Sequence, residues 1–148
     1  MVEKQSNLIC DTSFVGHVAR RELSPCRYDD WNEATLRRIE AASLAVSVVT
    51  IAETRSGFLS AGWGLSRRAT AERQLKRYRW LPVRRDYVDE WARLRAVARA
   101  RGIAISDNDL WVAATASTRE QILVTCDRDH QRIAAEMPVE VVYLAPPV

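Results

Sequence analysis

Apolar residues fall into two kinds of run along the chain, and their alternation predicts the fold class. Five short stretches, 7–10, 44–49, 80–83, 121–125 and 139–144, are apolar and rich in β-branched residues, as strands buried on both faces are. Between them lie segments with helical spacing: 13–23, 31–41, 51–60, 65–78, 86–101, 108–117 and 128–136. The clearest is 86–101, where Val88, Trp91, Leu94 and Ala98 share one face, Asp89, Glu90, Arg93 and Arg99 lie elsewhere, and Gly102 marks the end. Residues 60–64 read as a turn between two helices, and Pro146 and Pro147 end the last strand. Strands alternating with helices of this length predict right-handed crossovers and a parallel sheet with helices on both faces. No repeat, low-complexity tract or linker divides the chain, so one domain over 1–148 is expected.

Composition narrows the function classes. A chain of 148 residues buries roughly 70% of the surface its unfolded form exposes and needs no covalent staple. Its three cysteines, Cys10, Cys26 and Cys126, are odd in number and lack the spacing of a disulfide framework or a structural zinc. A cytoplasmic location is therefore expected. Residues 1–6 carry Glu3, Lys4 and Gln5 where a leader needs an apolar run, and no apolar run is long enough to span a membrane. The net charge is only +3, yet 20 of the 22 basic residues are arginine, and eight basic residues face one acid, Glu72, between 67 and 85. Arginine's planar fork suits phosphate, so Arg73, Arg77 and Arg79 are candidate nucleic-acid contacts; a solvated helix face gives the same pattern.

Four acids carry the candidate chemistry. Asp11, Glu53, Asp109 and Asp127 each fall where a strand is expected to run out and a helix to begin, so a parallel sheet gathers them on one edge, where open α/β sheets hold their sites. Each also has an ordinary structural reading. Asp11 and Asp127 suit helix caps, and Thr50 to Glu53 and Ser106 to Asp109 both match the capping-box pattern. Collectively they need more. Helix N-termini keep carboxylates ionised, and crowded carboxylates require a shared proton or a cation, which points to a divalent metal site. Mg²⁺ or Mn²⁺ with oxygen ligands suits phosphodiester hydrolysis without a histidine. His17 and His130 fall at no expected strand end, so neither is expected to be catalytic. A serine or cysteine nucleophile lacks a nearby base, and no nucleophile elbow or P-loop is present.

The stretches 8–15, 47–57, 108–116 and 123–129, in this order, resemble the PIN-domain nucleases, and among them the VapC-type toxins of bacterial toxin-antitoxin pairs. That resemblance implies a three-layer α/β/α fold with a five-stranded parallel sheet of order 3-2-1-4-5, which brings Asp11 beside Asp127. It implies an endoribonuclease dependent on Mg²⁺ or Mn²⁺, with Asp11 and Asp109 as principal metal ligands and Glu53 and Asp127 completing the catalytic quartet. Thr12, Ser13 and Thr125 match the small hydroxyl residues beside the acids. Cys126 departs from the more usual Arg or Asn, and Asp107 and Asp129 are neighbouring acids that could substitute. The implied partners are RNA and a VapB-like antitoxin whose C-terminal segment sets a basic side chain against the acids; a homodimer is also expected. Two other readings use the same residues: a non-catalytic RNA-binding PIN domain, and aspartyl phosphotransfer. The second wants a lysine near a later strand, and the only lysines are Lys4 and Lys76.

Overall fold

A computed structural model describes residues 7–148; the expectation of no leader at 1–6 lies outside these residues. Five parallel strands, β1 (Asn7–Cys10), β2 (Ser43–Ser47), β3 (Arg79–Leu81), β4 (Ile122–Thr125) and β5 (Val141–Tyr143), form one sheet of order β3-β2-β1-β4-β5, as expected. The order reverses between β1 and β4, where Leu8, Ile9 and Cys10 stand opposite Ile122, Leu123 and Val124. That seam is the topological switch point.

Both faces of the sheet are covered, which explains why the strands are apolar without alternation. Ile9, Ala45 and Leu123 point to one face, against α5 (Tyr87–Arg101), α6 (Asp107–Thr118) and Ile133 of α7 (Arg128–Ile133). Leu8, Cys10, Val46 and Val124 point to the other, against α1 (Thr12–Leu23), α2 (Glu33–Glu40), α3 (Val48–Ser60) and α4 (Leu65–Leu75). Ala113, Ala114 and Ala116 of α6 are fully buried, so small side chains let that helix lie close on the sheet.

Three expectations need correction. The second strand stops at Ser47 rather than running to residue 49. Ser47 caps α3 by accepting the Val49 amide at 3.2 Å, so the β-branched pair Val48 and Val49 belongs to the helix. On α5 the buried stripe is Tyr87, Leu94 and Ala98, with Trp91 packed against it, while Val88 is half exposed. The last helix is shorter than 128–136 and tightens into a 3₁₀ turn at Ala134–Glu136. Gly102 ends α5 at φ +66°, as expected for a left-handed helix end.

Candidate active site

Asp11 is the hub of the carboxyl edge of the sheet. It follows β1 directly, is 1% exposed, and caps α1 by accepting the Phe14 amide at 2.9 Å. Its two oxygens accept three further donors. The Ser13 hydroxyl lies 2.8 and 2.9 Å from them, the Thr125 hydroxyl donates to Oδ2 at 2.5 Å, and Nδ1 of His130 stands 3.0 Å from Oδ2. The same hydroxyls also hold β4's exit: Ser13 Oγ accepts the Cys126 amide at 3.0 Å and Thr125 Oγ1 accepts the Asp127 amide at 2.9 Å. Two of the small hydroxyl residues named from the resemblance, Ser13 and Thr125, thus tie the ends of β1 and β4 together.

The other three acids reach this edge by different routes. Asp127 caps α7, accepting the Asp129 amide at 2.8 Å. Ser106 caps α6, its hydroxyl accepting the Asp109 amide at 3.1 Å and donating to Asp109 Oδ2 at 2.8 Å, so the carboxylate meets the hydroxyl of the cap rather than its main-chain amide. No strand precedes it, contrary to expectation; α6 starts after the irregular 102–106 segment, and its N-terminus faces the same edge. Glu53 is not at a helix start either. With Ser47 as the cap, Glu53 lies well inside α3 and makes no capping box with Thr50. Its Oε1 instead accepts the Thr12 hydroxyl at 2.7 Å, beside Asp11. Asp109 interacts by charge with Asp127 and Asp11, Glu53 is linked to this edge through Thr12, and two of the four acids, Asp11 and Asp127, act as helix caps at the same time. Of the two neighbouring acids, Asp107 pairs with Arg95, and Asp129 lies 3.5 Å from Arg132.

His130, which the chain alone did not single out, sits within this cluster. It is fully buried, with Nδ1 facing Asp11 and the Thr125 hydroxyl and Nε2 lying 3.1 Å from the main-chain carbonyl of Asp109. A carbonyl only accepts, so Nε2 carries a proton. A carboxylate oxygen opposite Nδ1 calls for a second, which makes the ring an imidazolium. Burial pulls its pKa down, but the hydrogen bond and charge of Asp11, with the Asp109 charge, raise it to about 9. Burial likewise pushes Asp11 up, yet the His130 hydrogen bond and charge, with Thr125 and Phe14, hold it below the ordinary carboxylate value. One positive charge for the acids is thus supplied by the chain itself, correcting the expectation that all compensation comes from a bound cation. The signal was its position: three residues after the cap Asp127, a first-turn side chain points back toward the edge.

Asp109 differs. Burial raises its pKa, the Asp127 and Asp11 charges raise it further, and His130 and Ser106 oppose them. The flanking thiols are not nucleophiles at neutral pH. Burial, with the Asp11 charge, raises Cys126 to about 12 and pushes Cys10 up as well. The arginine candidates make no hydrogen bond or ion pair with these acids among the described residues, although Arg77 lines the cleft that also holds Thr12 and Glu53. Arg73 on α4 bonds Thr70 at 3.0 Å, Arg77 pairs with Glu22, and Arg79 opens the edge strand β3 with no polar partner among the described residues.

A family model described as the PIN domain matches residues 8–136. The chain belongs to the PIN-domain family. Among PIN proteins, Ribonuclease VapC5 of Mycobacterium tuberculosis is 36% identical over 102 residues, covering 67% of this chain and 75% of that protein. Ribonuclease VapC4 of the same organism is 34% identical over 99 residues, covering 66% and 74%. Among solved structures, VapBC-5 of M. tuberculosis, a member of the VapBC family of toxin-antitoxin systems, aligns at a TM-score of 0.66 and 28% identity over 94% of this chain and 99% of that one. VapBC2 of Rickettsia felis, bound to a promoter DNA fragment, aligns at 0.71 and 15% identity over 93% and 98%, a likeness of fold.

Proposed function

We propose that this PIN-domain chain is the ribonuclease toxin of a VapBC-type pair, hydrolysing RNA phosphodiester bonds with Mg²⁺ or Mn²⁺ at the edge formed by Asp11, Glu53, Asp109 and Asp127. The observation that carries this reading is the Asp11 network at the switch point, in a chain 36% identical to Ribonuclease VapC5. The donor set fits a hard cation: it is all oxygen, and Asp109 Oδ1, Asp127 Oδ2 and Glu53 Oε2 have no hydrogen-bond partner among the described residues. Among those residues no group of three or more His, Cys, Asp or Glu could hold a metal ion. Mg²⁺ needs only one or two carboxylates and completes its shell with water and substrate phosphate. Asp11 and Asp109 are the assigned ligands. When bound, the metal neutralises phosphate charge and lowers the pKa of water.

The chain's own residues do the rest. The orientation of Asp11 is fixed by Phe14, Ser13, Thr125 and His130, which would hold it in place in any coordination. Thr12 holds Glu53 toward the same edge. Asp109 is the half-buried acid with an open oxygen, facing Asp11 and Asp127 by charge.

A cleft of about 540 Å³ between α1, α3 and α4 leads to Thr12 and Glu53. Val15, Phe58, Leu75 and Tyr78 make its floor apolar, and we assign it to the antitoxin's C-terminal segment. A basic side chain carried past Thr12 meets Glu53 first and is held by charge-assisted hydrogen bonds. A ribonuclease toxin of this kind would act on cytoplasmic RNA. No helix among the described residues is long and apolar enough to cross a membrane. Cleavage of single-stranded RNA with Mn²⁺, abolished by EDTA, tests the nuclease reading against a non-catalytic RNA binder. Co-expression with a small protein encoded next to its gene, yielding a complex with suppressed cleavage, tests the toxin reading; the lack of any such partner counts against it.

A further inference from the structure

We propose that His130 is a positioning residue for the acidic site: one buried ring that fixes the Asp11 carboxylate through Nδ1 and the first turn of α6 through Nε2, setting where Asp11 and Asp109 stand relative to each other. The inference rests on reading these two acids as metal ligands.

Three observations carry it. First, the ring's polar contacts all belong to the site: Asp11 Oδ2 at 3.0 Å, Thr125 Oγ1 at 3.3 Å and the Asp109 carbonyl at 3.1 Å. Second, His130 is the one hydrogen-bonded link between the first turn of α6 and the sheet edge among the described residues. The other bonds at that turn run to α5, from Trp91 Nε1 to the Asp107 carbonyl at 3.2 Å and from Arg95 to Asp107 and to the Ile105 carbonyl. Without His130 the turn carrying Asp109 is tied on one side only. Third, the position is fully buried beside Ile133, where an apolar ring packs at no desolvation cost. A buried imidazole there is explained by its two polar ends rather than by packing.

The groups that hold a metal's carboxylates in place are as consequential as the ligands, and their loss costs about 10- to 100-fold in metal affinity or activity. The test compares the full chain with His130→Phe, which keeps a ring, and with His130→Asn and His130→Gln, which present an amide N–H near Nδ1 and Nε2 respectively. Mn²⁺ affinity is read by electron paramagnetic resonance of the free ion, kcat and KM on single-stranded RNA, and folding by thermal melts.

His130→Phe is expected to weaken Mn²⁺ binding by about tenfold or more and to lower kcat with KM unchanged. Asn and Gln are expected to recover part of each loss. A His130→Phe protein that binds Mn²⁺ as wild type does, with only its melting temperature lowered, overturns the proposal. If His130→Phe does not fold, Asn and Gln decide it, and wild-type affinity in both overturns it. A wild-type chain that binds Mn²⁺ but cleaves no RNA ends the ribonuclease reading and leaves the affinity series to judge His130. A wild-type chain that binds no Mn²⁺ overturns both.

Discussion

The acidic edge between β1 and β4 and the basic margin of α4 and β3 are both charged, but their charges are held differently. At the edge, Asp11 and His130 are buried, and both carboxylate oxygens of Asp11 have protein partners at 2.5–3.0 Å. At the margin, Arg73, Arg77 and Arg79 are exposed. Arg77 and Glu22 form a pair whose side chains are 62% and 37% exposed, so water and salt screen it. One region fixes geometry before any ligand arrives; the other supplies attraction that the solvent attenuates. Effects of substitution should therefore be large and specific at the first, and small, additive and salt-dependent at the second.

The largest expected effect is loss of chemistry at the edge. Excess EDTA should abolish RNA cleavage, and Asp11→Asn or Asp109→Asn should do the same with Mn²⁺ restored, in a gel assay on single-stranded RNA. Cleavage undiminished by EDTA breaks the metal reading. Margin substitutions should leave cleavage at saturating RNA intact.

Stability separates the two acids. Asp11→Asn keeps an acceptor for the Phe14 amide but leaves the buried His130 facing a neutral amide, and removing one partner of a buried pair costs about 3 to 5 kcal/mol. Asp109→Asn removes a half-buried charge repelled by Asp127 and Asp11, so it should melt no lower than wild type. Chemical denaturation at pH 6 measures both. Equal losses would show that capping, and not the Asp11–His130 pair, governs the edge.

Much of this contrast was legible in the chain. The caps at Asp11, Asp127 and Ser106 follow from local chemistry that the structure keeps, while the strand order was implied by the family resemblance. Other features are tertiary. Ser47 and Thr50 both suit a helix cap, and Val48 and Val49 are good strand formers, so only packing against the sheet decides that α3 starts early and Glu53 lies inside it. The partner of His130 sits 119 positions away, just after β1, and pairing of β1 with β4 brings them together. The mixed role of the basic block was hidden likewise, because Glu22 meets Arg77 only once α1 and α4 pack.

The pH dependence of the metal-free protein sharpens the edge further. The folded-state pKa of His130, about 9, lies above its ordinary 6.5, so its contribution is complete below pH 6.5 and is lost as pH rises through 9. That difference corresponds to about 3 kcal/mol. Asp11 is shifted down, so its contribution is present above its ordinary value of 3.8 and is lost as pH falls below that. Melts in EDTA should fall on both sides of a plateau, and His130→Phe should remove the alkaline limb. An alkaline limb unchanged in that variant would assign it to another group.

The smallest expected effect is at the margin. If the block holds RNA, replacing Arg73, Arg77 and Arg79 with glutamine should weaken binding and flatten the plot of log affinity against log salt, by about 0.7 for each single-strand phosphate that the protein no longer neutralises. The three should not contribute equally. Arg79 has no polar partner among the described residues and Arg73 only a threonine hydroxyl, whereas Arg77 is already neutralised by Glu22. Arg79→Gln should therefore flatten the slope most and Arg77→Gln least, because RNA must first displace Glu22 to use Arg77. Glu22→Gln alone, with Arg77 kept, should steepen the slope by freeing that guanidinium. A slope unaffected by any of the four returns the block to a solvated face, and leaves RNA to be held by the edge alone.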